Sequence, residues 1–476
     1  MSKQVPPSQR LRHHRFGRML ASLSLALASS SLMAQMTAHQ QLARDIHKEL
    51  VEINTVTATG DTLKAAQAMA ARLKAAGFNE DEVKVLSPGP RKGNLVARLR
   101  GSGARKPMMM LAHLDVVEAK PEDWSTDPFK VVEKDGFLYG RGVIDNKFMA
   151  AAFLANLIRY KQEGFKPDRD LIVVLETDEE ILDANVQGIQ WLLKHHRPLI
   201  DAEFALNEGG GVGLLNGKPQ INSLQTSEKV SYSFRLEVKN RGGHSSQPTK
   251  DNAIYRLADG LARLSRFDFP VQLNETTRAY FERMVALVDA KTASEMRSVI
   301  SAQPDPALVA RLAETVRFNA ILRTTCVTTM LEAGHATNAL PQTAKATVNC
   351  RVFPGVAVEE VQKTLVHVLA DDQISVSGIG TAVPSPPSPL SPEIVSAIEK
   401  LSAEFWPGVT VIPTMIAAAT DGSFLRNAGI PTYGQSGVAS DLASPSGVHG
   451  RDERISVKAF LDGLEYQYRL VKLLAK

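Results

Sequence analysis

Three short segments decide the fold and the chemistry of this 476-residue chain: Leu111-Ala-His-Leu-Asp-Val-Val117, Gly140-Arg-Gly-Val-Ile-Asp-Asn-Lys147 and Leu175-Glu-Thr-Asp-Glu-Glu180. Each follows or ends an apolar, strand-like run, and each places a His or a carboxylate where a strand gives way to a loop. Ligands of open α/β sheets bind at that edge. The segments therefore indicate a hydrolytic metal site.

The surrounding chain alternates strand and helix. Apolar runs at 108–112, 171–175 and 202–206 predict buried strands, and the segments 147–161 and 186–195 predict helices between them. The pattern resumes after Pro392. This alternation predicts an α/β fold with a doubly wound mixed sheet as the catalytic domain.

A second pattern interrupts the first after Thr226. Residues 230–238 alternate apolar and polar, and they form the first strand of a strand–helix–strand–strand–helix–strand series that ends at Val376. This series predicts an inserted, smaller α+β two-layer sandwich. The predicted organisation is an export signal (1–34), a first segment of the catalytic domain (35–226), a lid or dimerisation domain (227–380) with a helical insert (267–323), and a closing segment of the catalytic domain (381–476).

The composition is ordinary for a globular protein, and the amino-terminal residues predict export. Residues 1–18 carry five basic side chains and no acid, and the apolar stretch 19–34 is too short for an ordinary membrane span. We expect a signal peptide and a periplasmic or secreted protein without a stable membrane span after cleavage; the alternative is an uncleaved anchor. The chain has 55 basic and 51 acidic residues, and without the five basic residues of the signal the counts are 50 and 51. The basic excess therefore lies in the signal and gives no support for nucleic-acid binding. Cys326 and Cys350 either pair or remain two buried thiols.

The first candidate ligand is His113. His113 and Asp115 are two apart in an extended segment, so both side chains point to one face. A ligating His needs its second nitrogen fixed, and Asp115 is the predicted orienting carboxylate. Taken alone, the pair also fits a structural surface contact.

Carboxylates supply the remaining candidates. Asp145 lies in a glycine-flanked turn, and its two oxygens can bridge two cations. Of Glu179 and Glu180, one is expected to ligate metal and the other to act as general base, unless both belong to a solvated loop. Glu208 follows another apolar strand, and His449 lies in a polar loop; each alone would be an ordinary loop residue. Two His and three carboxylates suit two Zn²⁺ or similar ions.

With these residues in place, the sequence resembles the dizinc exopeptidase and deacylase family that includes aminoacylase, acetylornithine deacetylase, succinyl-diaminopimelate desuccinylase, glutamate carboxypeptidase and carboxypeptidase S. The matching motifs run through almost the whole chain in the family's order: His113-Leu-Asp115, Trp124 with Pro128-Phe129, Gly140 to Lys147, Asp178-Glu-Glu180, Glu208-Gly-Gly210, Gly243-His-Ser-Ser246, Asn338-Ala-Leu-Pro341, Arg351 and His449.

The resemblance implies a role for each position. It makes His113, Asp145, Glu180, Glu208 and His449 the ligands of two divalent ions, Zn with Co or Mn as alternatives, and Asp145 the bridge. Glu179 becomes the general base, and His244 polarises the scissile carbonyl, from the partner subunit in dimeric relatives. Asn338 and Arg351 hold the substrate carboxylate. Two departures stand out: residues 181–185 follow the glutamate pair where the family has a glycine, and the insert is larger than in compact dimeric members, so a homodimer is left open.

The resulting hypothesis is a dizinc hydrolase that uses metal-bound hydroxide to cleave a peptide or amide bond next to a free carboxylate. A carboxypeptidase or dipeptidase acting on short peptides is the favoured version. The first alternative is an N-acyl-amino-acid deacylase with the same residues. The second, from another class, is a periplasmic binding protein that has lost catalysis.

Overall fold

The computed structural model describes residues 36–181, 188–383, 385–444 and 446–476. The predicted export signal lies outside the described residues, as do residues 182–187 of the segment after the glutamate pair. Within the described residues, no helix combines the length and the apolar character needed to cross a bilayer.

The elements are numbered along the chain. The strands of the described residues are β1 (Val83–Gly89), β2 (Lys92–Leu99), β3 (Met108–His113), β4 (Val132–Lys134), β5 (Phe137–Tyr139), β6 (Leu171–Glu176), β7 (Phe204–Asn207), β8 (Gly211–Leu215), β9 (Lys218–Glu228), β10 (Val230–Lys239), β11 (Gly243–His244), β12 (Thr325–Ala333), β13 (Ala339–Leu340), β14 (Thr343–Val352), β15 (Ile374–Ile379), β16 (Thr410–Ile416), β17 (Thr432–Gly434), β18 (Ala439–Asp441) and β19 (Arg454–Ser456). The helices are α1 (Ala38–Glu52), α2 (Thr62–Ala75), α3 (Lys147–Gln162), α4 (Gly188–His195), α5 (Arg197–Ile200), α6 (Ala253–Leu264), α7 (Glu275–Met284), α8 (Ala290–Ile300), α9 (Pro306–Ala313), α10 (Val316–Leu322), α11 (Val358–Leu369), α12 (Pro392–Phe405), α13 (Gly422–Asn427) and α14 (Val457–Leu474).

A ten-stranded mixed sheet forms the centre of the larger portion of the fold. Its order is β1-β2-β6-β3-β7-β17-β9-β8-β18, and β16 pairs with β9. The central strands β6, β3, β7 and β17 run parallel, whereas β1 and β2 are antiparallel additions at one edge. The carboxyl ends of the central strands therefore meet at one edge of the sheet.

Helices cover both faces of this sheet because its central strands are apolar on both sides. Met108, Met110 and Ala112 of β3 pack in the core that contains α1, α2, α3, α12 and α14. Met109 and Leu111 face the opposite layer, which contains α4, α5 and α13. The predicted doubly wound α/β sheet is confirmed.

The smaller sheet has the order β12-β14-β10-β15, and all its neighbours are antiparallel. Phe234, Leu236 and Val238 of β10 are buried against α6 and α11, as the period of two predicts. Together with these helices the sheet forms the predicted two-layer sandwich. The residue numbers proposed for its boundaries remain predictions.

Two features add detail that the sequence left open. The insert forms the helices α7 to α10, and its apolar side chains pack with Ile412 and Met415 of β16, so it contacts the large sheet. Cys326 and Cys350 are directly opposite each other in β12 and β14 and form a disulfide.

Candidate dinuclear metal site

The candidate ligands converge because their strands are neighbours. His113 is the last residue of β3, the Glu179–Glu180 pair follows β6, and Glu208 follows β7, so all three groups lie at the carboxyl edge of adjacent parallel strands. Asp145 precedes α3, and His449 precedes β19. The sequence-predicted edge of the sheet is therefore where the five side chains meet.

Two half-sites share Asp145. In the first, Nε2 of His113 lies 3.2 Å from Oδ1 of Asp145 and 3.8 Å from Oε2 of Glu208. In the second, Nε2 of His449 lies 3.2 Å from Oδ2 of Asp145 and 3.1 Å from Oε2 of Glu180. One oxygen of Asp145 thus faces each half-site, which is the arrangement that a carboxylate bridging two cations requires.

Glu179 also reaches the cluster. Ligand atoms of His113, Glu179 and Glu208 lie within 4.8 Å of one another, as do those of His113, Asp145 and Glu180. Position alone therefore does not divide the ligand and base roles between Glu179 and Glu180. That division stays a prediction from the resemblance.

The charges of the cluster fit cations. Burial raises the pKa of Glu180 to about 7, and burial together with Glu208 raises the pKa of Glu179 well above its ordinary value. A hydrogen bond to Asp145 raises the pKa of His449 to about 9. The raised pKa values of Glu179 and Glu180 indicate carboxylates that are crowded together with too little positive charge around them. Bound cations would supply that charge, and Zn²⁺ takes imidazole nitrogens and carboxylate oxygens as ligands.

Asp115 has a different partner from the one predicted. Nδ1 of His113 is 3.0 Å from the backbone oxygen of Asp115, but 3.8 Å from its carboxylate. The carboxylate instead accepts hydrogen bonds from the backbone N–H groups of Glu179 (3.1 Å) and Glu180 (3.0 Å). The imidazole is thus oriented by a carbonyl, and the Asp115 side chain fixes the glutamate pair, because the turn after β6 brings those N–H groups onto it.

Asp178, the third acid of that turn, has its own counter-charge. Its side chain is 1% exposed and pairs with Lys92. A cation is therefore not needed to balance it. Gly188, which follows the residues that the structure does not describe, packs against the end of β6: a Cβ atom there would be 2.6 Å from Oε2 of Glu176 and 2.8 Å from the backbone nitrogen of Thr177.

A buried clamp that the sequence reasoning missed connects two of the ligand loops. Oε2 of Glu453 accepts from Nη1 of Arg141 (2.6 Å) and the N–H of Gly142 (3.0 Å), and its Oε1 accepts the N–H groups of Ile144 and Asp145 (3.1 Å each). Nη2 of Arg141 donates to the carbonyl of Gly450, next to His449. In the sequence Glu453 stands out only as an acid near His449, because the partners of its carboxylate lie more than 300 residues away.

A cavity of about 680 Å³, here called the main cavity, opens onto the cluster. Asp145, Glu179, Glu180, Glu208 and His449 line it. Arg351 lines the same cavity, as the predicted carboxylate-binding role requires. Metal cluster and guanidinium therefore face one volume.

The other two predicted site residues lie elsewhere. His244 and Asn338 are neighbours, since β11 pairs with β13 and the N–H of Ser245 donates to the carbonyl of Asn338. Both are exposed, and neither lines the main cavity. The structure thus brings them to each other and not to the cluster.

The fold and the cluster define a metal-dependent hydrolase of the dinuclear kind. The model of peptidase family M20/M25/M40 matches residues 109–473, and the chain belongs to this family of metallopeptidases. It is 31% identical over 372 residues to the N-fatty-acyl-amino acid synthase/hydrolase PM20D1 of Xenopus tropicalis, an alignment that covers 77% of this chain and 72% of that one. It is 28% identical over 377 residues to the probable carboxypeptidase S-like 2 of Dictyostelium discoideum, with 77% and 71% covered. The M20 family metallo-carboxypeptidase Sso-CP2 from Sulfolobus solfataricus shares the fold, with a TM-score of 0.68 at 19% identity over 92% of this chain and 99% of that chain.

Proposed function

We propose that this chain hydrolyses an amide bond next to a free carboxylate, with the carboxylate bound by Arg351. The observation that carries the proposal is the main cavity, which Arg351 and the metal-ligand cluster line together. A substrate that binds Arg351 through its carboxylate then holds its neighbouring amide within the same volume as the cluster.

The surroundings of Arg351 support an anionic ligand. The side chain is half-buried in β14, and burial lowers the pKa of its guanidinium. Among the residues that the structure describes, no carboxylate offsets this effect. In the described part of the chain this guanidinium has no carboxylate partner, and its planar fork matches a substrate carboxylate through two parallel hydrogen bonds.

Each residue of the cluster then has a role. His113 and Glu208 would hold one ion, His449 and Glu180 the other, and Asp145 both. Two divalent ions lower the pKa of a coordinated water and polarise a carbonyl. Glu179 would accept the proton of the attacking water and pass it to the leaving amine, while Asp115 keeps Glu179 and Glu180 in position. We propose Zn as the native metal, with Co or Mn as substitutes, because imidazole and carboxylate donors suit all three.

Short peptides and N-acyl amino acids both satisfy these requirements. The experiment supplies Zn²⁺, Co²⁺ or Mn²⁺ to the protein and compares dipeptides and N-acetyl amino acids with their carboxyl-amidated counterparts. We expect free acids to be cleaved with kcat/KM about 100-fold or more above that of the amides, since the guanidinium is left unpaired with an amide. Equal rates would refute the role of Arg351. Binding without turnover under every metal would favour the binding-protein alternative.

We also propose a homodimer in which His244 and Asn338 act in the partner subunit's site. Both are exposed and away from the main cavity, and β12, the edge of the small sheet, exposes Val327 (61%), Met330 (58%) and Leu331 (64%). An apolar edge strand is a surface for pairing with a second copy. Mixing His244→Ala with Glu179→Ala protein tests this. Each variant alone should have little activity, and random dimers should recover about one quarter of wild-type activity because half of the dimers are mixed and each mixed dimer has one complete site. No recovery, although mixed dimers form, would contradict action across the interface.

We also propose that the protein is exported from the cytoplasm. The charged and apolar pattern of residues 1–34 supports it, and so does the Cys326–Cys350 disulfide, since such bonds persist in oxidising compartments. Amino-terminal sequencing of protein recovered from outside the cytoplasm should show cleavage between residues 30 and 38. An intact amino terminus would favour the uncleaved anchor.

A further inference from the structure

The side chain of Lys229 crosses the strand that carries Arg351. Lys229 immediately precedes β10 and is fully buried. Its Nζ donates hydrogen bonds to the carbonyls of Ala320 (2.9 Å) and Arg323 (2.8 Å) and to the hydroxyl of Thr325 (3.1 Å). Ala320 lies in α10, and Thr325 begins β12. Because β14 lies between β10 and β12 in the small sheet, the ammonium reaches across β14 to these oxygens.

The register of the small sheet places this ammonium close to Arg351. Arg351 of β14 pairs with Ser231 of β10 on one side and with Thr325 of β12 on the other. Side chains that are directly opposite in antiparallel strands lie on the same face of the sheet, so these three form one row. Thr325 accepts a hydrogen bond from Lys229. Lys229, Ser231 and Arg351 all line the main cavity, so the ammonium is held next to the residue that binds the substrate carboxylate in the proposed function.

The ammonium has no carboxylate of its own among the described residues. The neighbouring Glu228 is committed elsewhere, because its Oε1 lies 2.7 Å from Nη2 of the buried Arg426 and its Oε2 accepts from the hydroxyl of Thr420 (2.8 Å). Burial and the charge of Arg351 lower the pKa of Lys229 to about 7, and in the described part of the chain no acid counters that effect. Three oxygen acceptors require three N–H donors, and only the protonated amine has them. This end of the main cavity therefore carries two positive charges that a bound carboxylate would balance.

We propose that Lys229 is a positioning residue for the substrate carboxylate. Its three N–H groups are occupied by protein oxygens, so it does not touch the substrate. Its charge attracts the carboxylate towards Arg351, and its hydrogen bonds hold the start of β12 in register with Arg351. The inference rests on the proposed function and gives the helical insert a part in it, because α10 supplies the carbonyl of Ala320.

The test uses Zn²⁺-loaded protein and compares alanyl-phenylalanine and N-acetyl-phenylalanine with their carboxamides. In the wild type, KM for the free acids should be lower than KM for the amides. Lys229→Met keeps an unbranched apolar side chain of similar length and removes the charge and the donors. It should raise KM for the free acids about tenfold and leave KM for the amides within about twofold and kcat within about threefold, because the lost charge interacts with the carboxylate and not with the scissile bond.

Thr325 supplies a milder pair of variants, which decides the question where Lys229→Met does not fold. Thr325→Val preserves the shape of the side chain and removes the hydroxyl that accepts from Lys229, so KM for the free acids should rise about fivefold. Thr325→Ser keeps the hydroxyl and should retain the wild-type KM. Arg283→Met is the control for a loosened insert, because Arg283 of α7 donates to the carbonyl of Val411 in β16 (2.8 Å) and lies outside the described lining of the main cavity. This variant should leave the ratio of the two KM values unchanged.

The outcomes separate this inference from the proposed function. An unchanged KM for the free acids in Thr325→Val, or an equal change on acids and amides in Lys229→Met, would overturn the positioning role and leave the proposed function intact. A shift of the KM ratio in Arg283→Met as large as that in Lys229→Met would also overturn it, since any loosening of the insert would then suffice. Equal rates for acids and amides in the wild type would instead refute the role of Arg351 in the proposed function.

Discussion

Replacing Glu453 by Gln is expected to loosen two metal-ligand loops without changing the volume of the core. The carboxylate is fully buried and accepts four hydrogen bonds, one from Arg141 and three from the backbone of the Asp145 turn. A carboxamide has one acceptor oxygen, so its NH₂ group would face N–H donors, and the buried Arg141 would lose its counter-charge. Breaking a buried ion pair by removing one partner costs about 3–5 kcal/mol.

Two measurements follow from this estimate. Urea unfolding in the presence of a chelator should show a loss of about 3–5 kcal/mol in the free energy of unfolding. Competition with a chelator should show metal bound about 10–100-fold more weakly, because Asp145 and His449 lose their shared support. Glu465→Gln is the matched control: its pair with Arg159 is 44% exposed on the acid, so below about 1 kcal/mol is expected. The clamp would be refuted if Glu453→Gln behaved like this control.

Three further changes test other regions of the structure. Glu179→Ala should lower kcat by about 10²–10⁴-fold while both metal ions stay bound, measured by steady-state kinetics and elemental analysis, and loss of metal would make Glu179 a ligand. Arg351→Lys should raise KM for free-acid substrates and not for their amides, because an ammonium cannot reproduce the planar pair of hydrogen bonds; an unchanged KM would move the carboxylate site elsewhere. Burial lowers the pKa of His47 to about 4, so the unfolded chain binds more protons between pH 6.5 and pH 4, and stability should fall by about 3 kcal/mol as the pH drops through that window. His47→Gln keeps a donor for the carbonyl of Val143 and should flatten that difference in pH-dependent urea unfolding; an identical pH profile would contradict it.

The sequence predicted those features that depend on local pattern. The apolar runs before His113, Glu179 and Glu208 are strands β3, β6 and β7, and parallel strands put their carboxyl ends at one edge. The convergence of His113, Asp145, Glu180, Glu208 and His449 therefore followed from strand order and the family motifs together. The period of two along β10 likewise identified which side chains of the small sheet are buried.

Features that depend on contacts between distant segments could not be predicted. Nothing near Glu453 shows that its carboxylate closes the Asp145 turn, and the spacing of Asp115 suggested an imidazole partner where backbone N–H groups are nearer. The helical pattern of the insert gave its elements but not its packing on β16. The pairing of Cys326 with Cys350 required the register of β12 and β14, which alternation alone leaves free.

The most direct test is the metal content of purified wild-type protein and of Asp145→Ala, Glu208→Ala and His449→Ala, measured after Zn²⁺ loading and gel filtration. Asp145 offers one oxygen to each half-site, whereas Glu208 and His449 each belong to one. We predict two ions per chain in the wild type, one ion in each of the Glu208 and His449 variants, and none in the Asp145 variant. A single ion in the wild type, or two ions retained without Asp145, would contradict the shared cluster.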